Sequence, residues 1–382
     1  MKNITKIILV LIFCNILFSN ISTVSANNVF KNNLGKIQDE KNISIDNNPI
    51  YFPFRNILKP EDEGPHYPRY LPMREWWYFN VHFNEPDSEL LNWSAMISFN
   101  HLTRSFNEPD MLFITLYDDK NQTYGGMINR KDGKLISTGP GVHIKYEKSW
   151  VDGCYPNWTL HIEDLEADVN NQIILDLKFE AKSLPYWVWT NTGQGSPKSP
   201  LGYYSINHCV VEGTLSFNEI IYKINGTGYH DHTWALLMIG GSSTVWDWFS
   251  IHFDNGLHAF IWQIMPVTNI KSFNLKPGFG WITDGYNYSD FKLFNLKYLE
   301  LVETSIPNFD RPKLFELISE LSYSKLLLTI ETVNMHEYLW GEIPLIDIAL
   351  WEGSCKVTGK ILTDDGYEDI SGIGIAEILR II

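Results

Sequence analysis

The chain is short of positive charge, with 30 Lys and Arg against 45 Asp and Glu and a formal net charge of −15. That balance excludes a phosphate-tracking surface, because nucleic-acid binders cluster Lys and Arg on one face. Cysteine is scarce as well: there are 4, and Cys14, Cys154, Cys209 and Cys355 include no two at zinc-ligand spacing. The last three permit one disulfide and one free thiol. There is no Gly-x-Ser-x-Gly elbow, and "GGSST" at 240–244 reads as a turn, which argues against a serine hydrolase. "GQGSPKSPLG" carries glycines without the strand-turn-helix context of a phosphate loop. After the N-terminus no apolar run is long enough to span a bilayer.

What is there is aromatic. Phe, Trp and Tyr make up 14% of the chain, with 14 Trp, enough for large planar walls facing a core, a lipid or a polyene. Lys2 and Lys6, an apolar stretch from Ile7 to Phe18 and the small-residue end "TVSA" form a secretory leader over 1–26. A secreted or periplasmic location is therefore expected. Residues 27–65 are polar and Asn-rich and read as an N-terminal extension.

From Trp76 onward, segments such as "WWYFNVHF", "MLFITLY", "IILDLKF", "STVWDWFSIHF" and "HAFIWQIMP" are short and rich in β-branched and aromatic residues. Turn chemistry separates them, which is the pattern of antiparallel all-β architecture. The chain divides into a β-barrel-like domain over 66–240 and a second over 241–382. One stretch, "PKLFELISELSYSK" at 312–325, has helical spacing through Leu314, Ile318 and Leu321.

The densest chemistry lies in "GYHDHTW" at 228–234. On a strand, His230, His232 and Trp234 share one face while Tyr229 and Asp231 take the other. Farther on, Trp246, Trp248, Ser250 and His252 fall on one face of a strand that also carries Asp247. His232 is a candidate general acid or base, coupled to Asp231 through a bend in the strand or through a neighbouring segment. Glu75, flanked by aromatics, is either paired with Arg74 or Arg104 or is a buried acid of raised pKa. Trp77, Trp262, Trp234, Trp246, Trp248 and Tyr229 are the candidate substrate-binding surfaces. His230, His232, His252 and His258 compose a possible metal set, but no carboxylate sits at a useful position beside them, and no metal or cofactor is expected.

Four landmarks in order, "REWWYF", "GYYS", "GTGYHDHTW" and the pair "LWEGSCKVTG" and "GIGIAEI", resemble the carotenoid 1,2-hydratase family, also called hydroxyneurosporene synthase or CrtC-like, with its AttH-like relatives. The resemblance covers roughly residues 66–382. It implies two packed lipocalin-like β-barrels and chemistry that ranges from hydration of isoprenoid double bonds to cyclisation and lipid transport. It also implies a His-x-Trp pair, here His232 and Trp234, and a Tyr-x-Asp pair on a following strand, which "HAFIWQI" lacks. Two readings follow: an enzyme adding water to, isomerising or cyclising a large apolar substrate, or a non-catalytic carrier. The partner in either case is a hydrophobic small molecule, with peripheral membrane contact allowed.

Overall fold

The computed structural model describes residues 57–66, 73–86, 88–102, 110–129, 135–164, 167–190, 202–236, 244–266, 278–291, 294–307, 309–320, 325–343, 346–363 and 366–381. Residues 1–26, expected from sequence to form a leader, lie outside these residues, as do most of the extension and Arg104. The described chain is almost wholly β, curled into two antiparallel sheets of twelve and nine strands that belong to one compact unit, consistent with a lipocalin-like two-barrel fold.

Met73–Phe83 lies inside the first sheet, paired antiparallel with Ser94–Leu102 on one side and Ile220–Leu236 on the other. The strand is apolar on both faces because both faces are covered. Trp77, Phe79, Val81 and Phe83 enter the core within this sheet, while Tyr78 enters a second core shared with the other sheet. The shared core joins Tyr203 and Tyr229 of the first sheet to Trp246, Trp248 and Trp262 of the second. A third core, built on Phe249, Ile251, Ile378 and Trp351, fills the second sheet. Each buried aromatic in these layers contributes roughly 2–3 kcal/mol.

The second sheet rests on three long strands, Lys325–Ile343, Ile346–Thr363 and Gly366–Ile381, joined as hairpins. Gly353 fits here because a Cβ would stand 1.8 Å from the Asn334 carbonyl oxygen. Gly353→Ala is therefore expected to cost about 1–3 kcal/mol or more in chemical denaturation, since the clash is with backbone. An unchanged midpoint would show that the two strands are free to separate locally.

Two expectations are corrected. The stretch with helical spacing is the strand Asp310–Glu320, in which Phe315, Leu317 and Ser319 are buried and Ile318 is 49% exposed. The period-2 alternation wins because both neighbouring strands supply ladder partners. The three cysteines outside the leader are all free thiols, so no disulfide forms among them.

Among the described residues a short helix, Pro60–Glu63, precedes the first strand, and its segment is tied into the sheet. The Trp77 indole donates to the Glu63 carbonyl at 2.9 Å and the Trp187 indole to the Ile57 carbonyl at 2.8 Å. Asp62, Glu63 and His66 are buried as a result.

Candidate functional site

Strand alternation splits the motif at 228–234 between two places. Asp231 and Tyr229 face the core shared by the sheets, whereas His232 and Trp234 face the interior of the first sheet. His232 is consequently not coupled to Asp231, because neighbouring residues on a flat strand point apart.

Between the sheets lie two adjoining cavities. One of about 50 Å³ is lined by Arg74, Trp76, Tyr78, Trp246, Glu352 and Glu377 among others. Another of about 20 Å³ is lined by Trp76, Tyr78, Asp231, Trp248, Trp262 and Glu377 among others. This free space is water-sized, so a larger ligand has to open it by moving side chains such as the partly buried Trp76.

The notable feature is three buried carboxyls. Asp231 receives hydrogen bonds on Oδ2 from the Tyr203 hydroxyl at 2.8 Å and the Tyr229 hydroxyl at 2.9 Å. Burial pushes its pKa up to about 8 in spite of those bonds. Glu352 and Glu377 are direct cross-strand neighbours and so share one face of the sheet. The Tyr78 hydroxyl donates to Glu352 at 2.5 Å, and the Trp246 indole donates to Glu377. Burial raises both acids, Glu377 to about 7, and Glu352 is raised further by the Glu377 charge beside it. Carboxyls that keep a proton near neutrality, next to tryptophan faces, suit general acid chemistry on carbon.

The titration of Asp231 has a measurable consequence. Its ordinary pKa is 3.8 and its folded value about 8, so between these pH values the folded state binds the extra proton. This contribution to stability is complete below about pH 4 and declines as pH rises towards 8. Asp231→Asn should therefore gain stability relative to wild type between pH 5 and pH 8, read from thermal unfolding at both. A constant difference between the two proteins would mean that Asp231 does not titrate in that range.

The second locus contains His66, Glu75 and His232, all fully enclosed. Glu75 Oε1 lies 2.8 Å from His232 Nε2 and 3.2 Å from His66 Nδ1, and the His66 backbone N–H donates to the same carboxylate at 2.9 Å. Burial works to raise the Glu75 pKa, but hydrogen bonds from His232 and His66 prevail and hold it down at about 2. Glu75 is thus an ionised carboxylate bound to histidines rather than the acid of raised pKa expected from sequence, and the Arg104 of the alternative pairing lies outside the described residues. Arg74, its neighbour, points into the inter-sheet cavity instead. Burial lowers the His232 pKa to about 4. Trp77 stacks on His232 and Trp234 on His66, with ring centroids 4.6 and 3.6 Å apart. These three side chains offer ligand atoms within 4.8 Å of one another and could hold a metal.

Other sequence candidates separate. Trp246, Trp248, Trp262 and Tyr229 line or back the cavity, while Trp77 and Trp234 pack inside the first sheet. Asp247 turns away from Trp246 and Trp248 and pairs with Arg380 at 2.6 Å. The proposed four-histidine set does not assemble: His230 stacks on Phe79 in the first sheet, and His252 meets His258, with their Nδ1 atoms 2.7 Å apart. Sequence reasoning missed Glu352 and Glu377, although both sit within quoted landmarks, and missed His66. The available signal was a single carboxylate at a core-facing position of an otherwise apolar strand.

The AttH-like family model matches residues 156–377, more than half of the chain. The crystal structure of an AttH protein from Nitrosomonas europaea is similar, with a TM-score of 0.62 at 17% identity, covering 85% of this chain and 97% of that one. Kievitone hydratase from Nectria haematococca gives a TM-score of 0.54 at 13% identity, covering 80% of this chain and 88% of that chain. CghA, solved with Sch210972, gives 0.55 at 10% identity, with 81% and 88% covered. At these identities the likeness is one of fold. No curated protein matches the chain.

Proposed function

The chain belongs to the AttH-like family, and on that premise we propose that it is an enzyme protonating a carbon–carbon double bond of a large apolar substrate held between the two sheets. The reading rests on one observation: Asp231 and Glu377, with pKa values pushed to about 8 and about 7, line one cavity together with Trp76, Trp246, Trp248 and Trp262.

Asp231 serves as the acid. Its Oδ2 is engaged by Tyr203 and Tyr229, which leaves Oδ1 to carry the transferable proton. Transfer to an alkene carbon creates a carbocation, and tryptophan faces stabilise such a cation through their ring quadrupoles. Water then adds to the cation while Glu377 accepts the proton that water releases. Loss of a neighbouring proton to Glu377 instead gives isomerisation, and capture by a second alkene of the same molecule forms a ring and a new cation, which loses a proton to Glu377 to give the cyclised product. Glu352, held neutral by burial and by Glu377, keeps a second negative charge away from Glu377. Kievitone hydratase by its name adds water, and that likeness favours hydration within this set. We further propose that the leader expected over residues 1–26 directs the chain out of the cytoplasm.

The test is incubation with isoprenoids, polyenes and prenylated phenols in D2O, with products read by mass spectrometry. Deuterium at carbon with added water, or with rearrangement, is expected. Tight binding with no deuterium in any product would instead make the protein a carrier.

A further inference from the structure

The hydrogen-bond arrangement around Glu75 does not close with neutral histidines. A neutral imidazole has one N–H and one lone pair. His232 Nε2 is 2.8 Å from the Glu75 carboxylate and its Nδ1 is 3.3 Å from the Asp62 carbonyl oxygen, so both ring nitrogens face acceptors. His66 Nδ1 faces the same carboxylate oxygen, while its Nε2 is buried without a hydrogen-bond partner. Either tautomer of His232 therefore aims a lone pair at an oxygen.

We propose that His66, Glu75 and His232 bind one divalent first-row transition ion, through His66 Nδ1, a Glu75 oxygen and His232 Nε2. A cation at the centre satisfies these lone pairs and leaves His232 Nδ1–H to donate to the Asp62 carbonyl, the usual outer-shell partner of a metal-bound imidazole. The spacing fits: ligands about 2.1 Å from an ion lie about 3.0 Å apart at octahedral angles and about 3.4 Å apart at tetrahedral ones, and Glu75 Oε1 lies 2.8 and 3.2 Å from the two ring nitrogens, with all three ligand atoms within 4.8 Å of one another. Two nitrogens and one carboxylate with no thiolate suit zinc or iron(II). Trp77 and Trp234 fix both rings by stacking and exclude water. Asp62, whose carbonyl faces His232, also has its Oδ1 buried without a hydrogen-bond partner.

The three ligands come from the segment after the helix Pro60–Glu63 and from the strands Met73–Phe83 and Ile220–Leu236. The ion thus cross-links chain segments far apart in sequence and fastens the N-terminal segment to the first sheet. The site is independent of the proposed reaction, since Asp231 and Glu377 face the other side of that sheet.

The experiment uses the full chain, stripped with chelator and titrated with ZnCl2 and CoCl2. Elemental analysis after dialysis should find about one equivalent of zinc, and cobalt should give ligand-field absorption typical of nitrogen and oxygen donors. The thermal midpoint of wild type should rise with free zinc, as binding to the folded state alone requires. Glu75→Gln, close in shape, should lower zinc affinity by at least about tenfold, whereas His252→Asn, at the other buried histidine pair, should leave the stoichiometry unchanged. A second proton on His232 would satisfy the same contacts, and in that case wild type would take up no ion and its midpoint would not respond to zinc. That result, or undiminished uptake by Glu75→Gln, overturns the proposal, and neither reading depends on whether a ligand-deletion variant folds.

Discussion

Asp231→Asn is expected to lower kcat by about 100- to 10,000-fold while leaving ligand affinity nearly unchanged, because the amide keeps the shape of the acid but has no proton to give. Wild type should show a bell-shaped profile of kcat/KM. The base Glu377 is ionised above about pH 7 and the acid Asp231 is protonated below about pH 8, which puts the optimum between them. The two limbs belong to the interacting carboxyls as a group, since Glu352, Glu377 and Asp231 influence one another. Glu377→Gln should lose the acidic limb and Asp231→Asn the alkaline one. Tyr203→Phe removes one donor to Asp231 Oδ2 and should move the alkaline limb upward, because the ionised form loses a stabilising hydrogen bond. Full activity of Asp231→Asn at pH 7 would reject it as the acid.

Arg380→Met is expected to cost about 3–5 kcal/mol, the largest stability effect foreseen. The guanidinium is buried and donates to Asp247 at 2.6 Å and to the Trp246 carbonyl at 2.8 Å. Removing it leaves Asp247 as an enclosed charge whose remaining hydrogen bond comes from the Tyr298 hydroxyl. The paired replacement Arg380→Met with Asp247→Leu should recover much of that loss, as apolar substitutes often do for a buried ion pair. Because Asp247 lies between Trp246 and Trp248, the single variant should also weaken ligand binding, which a double-mutant cycle in denaturation and in affinity would resolve. A loss below about 1 kcal/mol, typical of exposed pairs, would mean that water reaches the pair.

The two predictions draw on residues of unequal legibility. Asp231 stood out in "GYHDHTW", and its separation from His232 follows from alternation along a single strand. Its role did not, since proton affinity depends on Tyr203, on burial and on carboxylates more than a hundred residues away. Arg380 and Asp247 are 133 positions apart, and nothing local announces their pairing. The spacing at 312–325 fitted a helix because Leu314, Ile318 and Leu321 recur at intervals of three and four, yet Phe315 and Leu317 also alternate, and neighbouring strands decided between the two patterns.

Amino-acid pattern alone therefore determined the β class, the aromatic richness and, in strands such as the one carrying "GYHDHTW", the face each side chain takes, all consequences of short-range sterics and hydrophobic periodicity. Only the tertiary structure decided which faces meet. Packing the two sheets together brought Asp231 to Glu352 and Glu377 and excluded water from them, and folding the segment 57–66 over the first sheet brought His66 to Glu75 and His232. Burial sets the charge state of these groups, and burial is a property of the assembled fold.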